Sequence, residues 1–163
     1  MWLSRLIVAC GLLLLSGCSG LEIKSIGQAL YERNAFIEVA QSGGRNGQLY
    51  SRQLRSRLAY VEAAAATHSV STSLSVSSAA TLSVQGSSSD LKKKTMTASV
   101  SLTDLATGET VLNETLSASA TLGTVSAQFA QLRSDRHADE RLAMLLADRV
   151  AARIHLFFTQ SGS

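Results

Sequence analysis

From His68 to Leu122 the chain alternates between apolar and small polar side chains with a period of two. Val70, Thr72, Leu74 and Val76 share one parity, with Ser69, Ser71, Ser73, Ser75 and Ser77 on the other. Met96, Ala98, Val100 and Leu102 repeat the pattern, and so do Leu112, Leu116, Ala118, Ala120 and Leu122. Alternation of this kind places every second side chain on one face of a strand. It predicts three long strands, each with one covered face and one serine- and threonine-rich face. The first of them runs on toward Leu82 and Val84 past a bulge, and "DLATGETV" supplies a turn around Ala106 to Gly108 between the last two. Strict repetition in three runs argues against a low-complexity serine linker.

The period changes on either side of this block. "AFIEVAQ", residues 35–41, sets Ile37 and Val39 against Glu38 and predicts a short strand, followed by a loop at "SGGRNG", residues 42–47. From Gln48 to Ala66, the residues Tyr50, Leu54, Leu58, Val61 and Ala65 fall three or four apart and predict a helix with one buried side. A final helix is expected to start near Ser134-Asp135, where both residues can cap, with Asp139 and Glu140 complementing the dipole. Leu142, Leu146, Val150, Ile154 and Phe157 mark its buried stripe, widened by Leu145 and Phe158. Strand, helix, three strands, helix gives an α+β fold, a two-layer sandwich with two helices packed on one face of a four-stranded sheet.

The first residues follow other rules. "MWLSRLIVACGLLLLSGC" has one charge, Arg5, and an apolar run from Leu6 to Leu15, roughly half the length that spans a bilayer. A basic start, a short apolar run and small residues at its end describe a secretory signal peptide. Leu15-Ser16-Gly17-Cys18 is similar to the bacterial lipobox, and the resemblance implies cleavage after Gly17 and acylation of Cys18 with palmitate-type chains. Cys10 lies in the segment to be removed, so an unacylated Cys18 would be a lone thiol in an oxidising compartment. The expected organisation is a signal peptide at residues 1–17, a lipidated N-terminus and tether at 18–34, and a single domain at 35–160. Serine rather than aspartate after the cysteine resembles the sorting pattern that sends lipoproteins to the outer membrane.

Composition narrows the function classes. Without Arg5 the mature chain keeps 14 Lys and Arg against 12 acids, too even a balance to indicate nucleic acid. His68, His137 and His155 have no histidine or cysteine at metal-ligand spacing and are expected to be solvated; no metal or other cofactor is implied. No Gly-x-Ser-x-Gly accompanies the many serines, and the loop at 42–47 lacks the Gly-Lys-Ser/Thr ending of a phosphate-binding P-loop. An enzyme is therefore not expected. Lys92, Lys93 and Lys94 form the densest charge cluster and admit two readings: a solvated hairpin end that protects a strand from edge pairing, or a site for lipid phosphates. Arg52, Arg55 and Arg57 form a second basic group on the exposed side of the first helix.

Three further stretches, with the lipobox, resemble the LPS-assembly lipoprotein (LptE) family, particularly its alphaproteobacterial branch. "NGQLYSRQLRSRL" (46–58) looks like the family's first helix, and "ASVSLTDLATGETVLNETLSASATL" (98–122) like its last hairpin. "ADERLAMLLADRVAARIHLFF" (138–158) looks like its terminal helix. The family's Gly-Phe-x-Pro-Leu-Tyr segment after the cysteine has no counterpart in "SGLEIKSIG". The resemblance implies a non-enzymatic outer-membrane lipoprotein on the periplasmic side that partners and plugs the β-barrel LptD. It would aid that barrel's assembly and lipopolysaccharide delivery, with Lys92 to Lys94 facing lipid A phosphates. The alternative is a periplasmic lipoprotein accessory to another envelope transporter or secretion assembly.

Overall fold

The computed structural model describes residues 35–58, 65–83, 90–123 and 127–161. The signal peptide, Cys18 and the tether lie outside the described residues. The elements run β1 (Ile37–Val39), α1 (Gly44–Arg57), β2 (His68–Ser83), β3 (Asp90–Asp104), β4 (Thr110–Gly123) and α2 (Gln128–Gln160). The strands form one sheet in the order β1-β2-β3-β4. β1 is parallel to β2, a pairing that needs a crossover, and α1 supplies it. The other pairs are antiparallel. Both helices cover the same face, as the two periodicities require.

Parity sorts the side chains as the alternation demands. Val70 on β2, Met96, Ala98, Val100 and Leu102 on β3, and Leu112 and Ala118 on β4 are buried under the helices. Leu142, Leu146, Val150 and Ile154 of α2 press onto them, joined by Ala143, Ala147 and Ala151, whose small side chains let the helix lie close. Phe158 completes the seam, but Leu145, expected in it, is 43% exposed on the outer flank. The helix and hairpin match in length. Thirty-three residues of helix and strands of 14 to 16 residues both span roughly 50 Å.

Three helix boundaries differ from expectation. α1 starts at Gly44 and gives way to extended backbone at Leu58, so "GRNG" is helical and the helix stops short of Ala66. Glycines and an asparagine suggested a loop, but Gly47 is needed for another reason. A Cβ there would stand 2.5 Å from the Ser42 carbonyl oxygen, where the incoming chain folds back on the helix. Ser42 is tied down at that crossing: its amide donates to Ser51 Oγ at 3.1 Å and its hydroxyl to the Thr72 carbonyl at 2.9 Å. α2 begins at Gln128 rather than Ser134, with no side-chain cap. The preceding Gln-Phe-Ala-Gln-Leu-Arg holds neither glycine nor proline, so nothing stops the helix from extending past the Ser-Asp pair.

The β3–β4 turn is the expected one. Asp104 Oδ1 accepts the Ala106 amide at 2.7 Å, the Gly108 amide reaches the Asp104 carbonyl at 2.8 Å, and Gly108 takes φ 73°. Gly47→Ala should lower stability by about 1–3 kcal/mol despite alanine's better helix propensity, because the added methyl meets backbone. Gly43→Ala, with open space around the position, should be close to neutral; urea denaturation followed by circular dichroism distinguishes the two.

Candidate functional site

The sheet face away from the helices is an array of hydroxyl and amide side chains. Register aligns it in ranks across three strands: Ser71–Ser101–Asn113, Ser73–Ser99–Thr115, Ser75–Thr97–Ser117 and Ser77–Thr95–Ser119. The outer strands of these ranks are exposed and the central one is mostly half-buried between its neighbours. All twelve positions are uncharged, so the face can exchange hydrogen bonds with a polar surface without imposing a field on it. It has no apolar patch with which to enter hydrocarbon.

Alternation also decides the fate of the lysine triplet. Lys93 points to the open face beside Thr121, whereas Lys92 and Lys94 point beneath α2. Lys94 is buried; its Nζ lies 2.8 Å from Asp139 Oδ1 and 3.2 Å from the Asp135 carbonyl oxygen. Lys92 lies 3.8 Å from Asp135. The three ammonium groups therefore do not form one cationic surface: two fasten α2 to the sheet and one is free in solvent. Asp139 and Glu140, read as dipole partners, serve as tethers instead, Asp139 to Lys94 and Glu140 to Arg45 on α1 at 2.7 Å. Sequence reading missed this because it requires knowing which helix residues lie over which strand.

The lower half of α2 is fastened in the same manner. Arg153 grips Glu114 of β4 with two hydrogen bonds, one of 2.8 Å to Oε2, a fork geometry that holds orientation as well as charge. Arg149 donates to the Ser117 carbonyl on the outer edge of β4. Between the helices, Arg57 and Gln53 both reach Asp148 Oδ1, at 2.8 and 2.9 Å. Of the arginines expected on the exposed side of α1, Arg52 is exposed, Arg57 is paired, and Arg55 turns back to the Val39 carbonyl at 2.9 Å.

Two of the three histidines are not fully solvated. His155 is buried against α1 and its Nε2 donates to the Arg57 carbonyl at 3.1 Å; it lines a cleft of about 450 Å³ with Arg57 and Asp148. His68 stacks edge-on against Phe158, with ring centroids 5.0 Å apart, and its Nδ1 meets Thr67 Oγ1. Neither histidine adjoins a second one, and no group of metal-ligating side chains occurs among the described residues. Partial burial pushes the His68 imidazole below its ordinary pKa, against an opposing pull from Asp104. Tyr50, whose hydroxyl lies 3.2 Å from Thr72 Oγ1, is pushed up to about 12 by burial. Among the described residues no helix is long and apolar enough to cross a membrane.

The ties differ in what their removal does. Lys94→Ala should cost about 3 kcal/mol by stranding Asp139, while Lys93→Ala should lie within about 0.5 kcal/mol of the parent. Lys94→Met with Asp139→Leu should recover most of the loss, as read from urea midpoints. For His68, the unfolded chain binds a proton more readily than the folded one. Its contribution is complete above the unfolded pKa of about 6.5 and declines as pH falls through the window below it. The melting temperature should therefore drop between pH 7 and 5, and His68→Phe should flatten part of that slope.

No family model matches the chain, and no curated protein matches it. Solved structures do. A protein of Caulobacter crescentus CB15 described as a lipoprotein superposes with a TM-score of 0.57 at 19% identity, over 78% of this chain and 92% of that one. Lipoprotein B of Nitrosomonas europaea gives 0.60 at 9% identity, over 77% and 84%. The rare lipoprotein B of Shewanella oneidensis gives 0.55 at 12% identity, over 78% and 99%. At these identities the likeness is one of fold: the two-helix, four-strand architecture of the described residues is an architecture found among bacterial lipoproteins.

Proposed function

We propose that this chain is a lipoprotein of the outer membrane, held at the periplasmic leaflet by acylated Cys18. In this reading it sits inside the β-barrel LptD, aiding that barrel's assembly and lipopolysaccharide delivery to the outer leaflet. The observation that carries it is the open face of the sheet. Four ranks of uncharged hydroxyl and amide groups suit the polar interior wall of a large barrel, which offers alternating donors and acceptors and little apolar surface. The lipobox, the family resemblance in residues 46–58, 98–122 and 138–158, and the lipoprotein neighbours support the same assignment. The protein's work is then steric and adhesive. It fills, orients and stabilises, and no side chain turns over a substrate. Lipid A phosphates, in this reading, meet Lys93, the exposed member of the lysine triplet.

A tagged full-length chain purified from outer membranes should bring down LptD. Ser73→Lys with Thr115→Lys, placed on exposed positions of one rank, should leave the melting curve within about 0.5 kcal/mol of the parent and sharply reduce the barrel recovered. Undiminished recovery removes the open face from the interface. Recovery of an inner-membrane transporter or a secretin in place of LptD establishes the accessory reading instead. Lys93→Ala should weaken lipopolysaccharide binding measured on the purified chain, and unchanged binding removes that contact.

A further inference from the structure

Among the described residues, the helical layer covers only part of the sheet. α1 has 14 residues and starts at the level where Arg45 meets Glu140; its hydrogen bond to β2 is made at Thr72, from Tyr50, and Ser42 just before the helix reaches the same residue. α2 continues for about three turns beyond that level, from Asp139 back to Gln128, and β2 continues as well. In this upper part of β2 the residues from Ser75 to Ala80 are all exposed. Leu74 is only partly covered and Val76 is 43% exposed, although both carry the parity that is buried lower down.

The wall of this vacant lane follows from helix spacing. Phe129, Arg133, Arg136 and Glu140 stand four, three and four residues apart and share one stripe of α2. Glu140 at its lower end faces α1, so the residues above it face the space above α1. Leu132 sits between Phe129 and Arg136 on the same side. Phe129 is 84% and Leu132 56% exposed, values far outside those of the seam farther down. The acids of this stretch are all engaged, Asp135 with Lys92, Asp139 with Lys94 and Glu140 with Arg45. Arg133 and Arg136 are exposed and take part in none of the ion pairs found among the described residues.

We propose that the lane between upper β2 and the first three turns of α2 is a docking site for a short amphipathic helix of a partner protein. That helix carries an apolar face toward Val76 and Leu132 and an acidic flank toward Arg133 and Arg136. The lane is about 17 Å long and one helix wide, which seats some twelve residues. An occupant there extends the layer that α1 begins, packing on β2 and against α2 as α1 does. Charge selects the occupant. The same surface of a second copy would set arginine against arginine, and a flat lipid leaflet cannot reach a floor walled by α2. This site belongs to the helix-covered side of the sheet, so it stands independently of the barrel reading.

The test uses the full-length acylated chain in nanodiscs of zwitterionic lipid. The probe is a fluorescein-labelled helical peptide of about 14 residues, with leucines on one face and glutamates on both flanks, and its twin carries lysines for glutamates. Fluorescence anisotropy should show saturable binding of the glutamate peptide and none of the lysine peptide. Arg133→Glu with Arg136→Glu should reverse the preference, weakening the first at least about tenfold and admitting the second. Val76→Asp should abolish both, with an unchanged melting curve for each variant. Binding indifferent to the charge reversal, or absent altogether, overturns the proposal. So does a dimer that dissociates with Val76→Asp, or binding to anionic vesicles that the arginine pair controls while the peptide fails.

Discussion

The burial of one face of α2 against the even-numbered residues of β3 organises this molecule. Met96, Ala98, Val100 and Leu102 each lose nearly all contact with water, and the seam from Leu142 to Ile154 accounts for it. Burying a side chain the size of Met96, Val100 or Leu102 contributes about 1.5–3 kcal/mol, so the row outweighs any single ion pair in the structure. Its geometry fixes other features. A strand with a period of two can bury only half its side chains under a single helical layer, so the serines and threonines of the odd positions are left uncovered. The hydroxyl face is thus the complement of the core, specified by the same alternation.

The ion pairs are secondary to this seam and act on direction. Lys94 with Asp139, Arg153 with Glu114, and Arg57 with Asp148 together with Arg45 with Glu140 join α2 to three neighbours, β3, β4 and α1. Leucine, valine and alanine along the seam would tolerate small rotations of the helix. The polar ties, spaced along its length and set on both of its flanks, permit one rotation only. Lys94 gains most of its worth from burial, since an exposed pair in the same geometry contributes about 1 kcal/mol at most. That a lysine follows two others in sequence says nothing about this role. What matters is that its position has the parity of Met96 and so enters beneath the helix.

Strands were legible in the sequence because alternation records directly which side is covered, and the turn at Asp104 because Asp, Thr and Gly each have a local conformational reason to be there. The helix ends were not legible. Gly47 looked like a loop residue because composition cannot show the Ser42 carbonyl that passes over it. Ser134-Asp135 looked like a cap because a capping residue and an interior one differ only in what lies upstream. The open face was readable as a surface, but the lysine triplet was read as a unit when strand geometry divides it. Histidines at 68 and 155 looked solvated because their neighbours, Phe158 and the end of α1, are distant in the chain.

The equal lengths of α2 and the β2–β4 strands carry a consequence for how such a chain can change in size. Each residue added to a strand lengthens it by about 3.3 Å, and each added to a helix by about 1.5 Å. A hairpin extended by two residues per strand would run roughly 7 Å past its cover and leave a new even-numbered side chain bare on each strand. Roughly four or five residues would have to enter α2 at the same time to close the gap, and near 3.6 of them are needed to bring the seam back to the same face. Insertions in this architecture are therefore constrained in pairs, with a fixed exchange ratio between sheet and helix, and relatives that differ in reach should differ in both elements together.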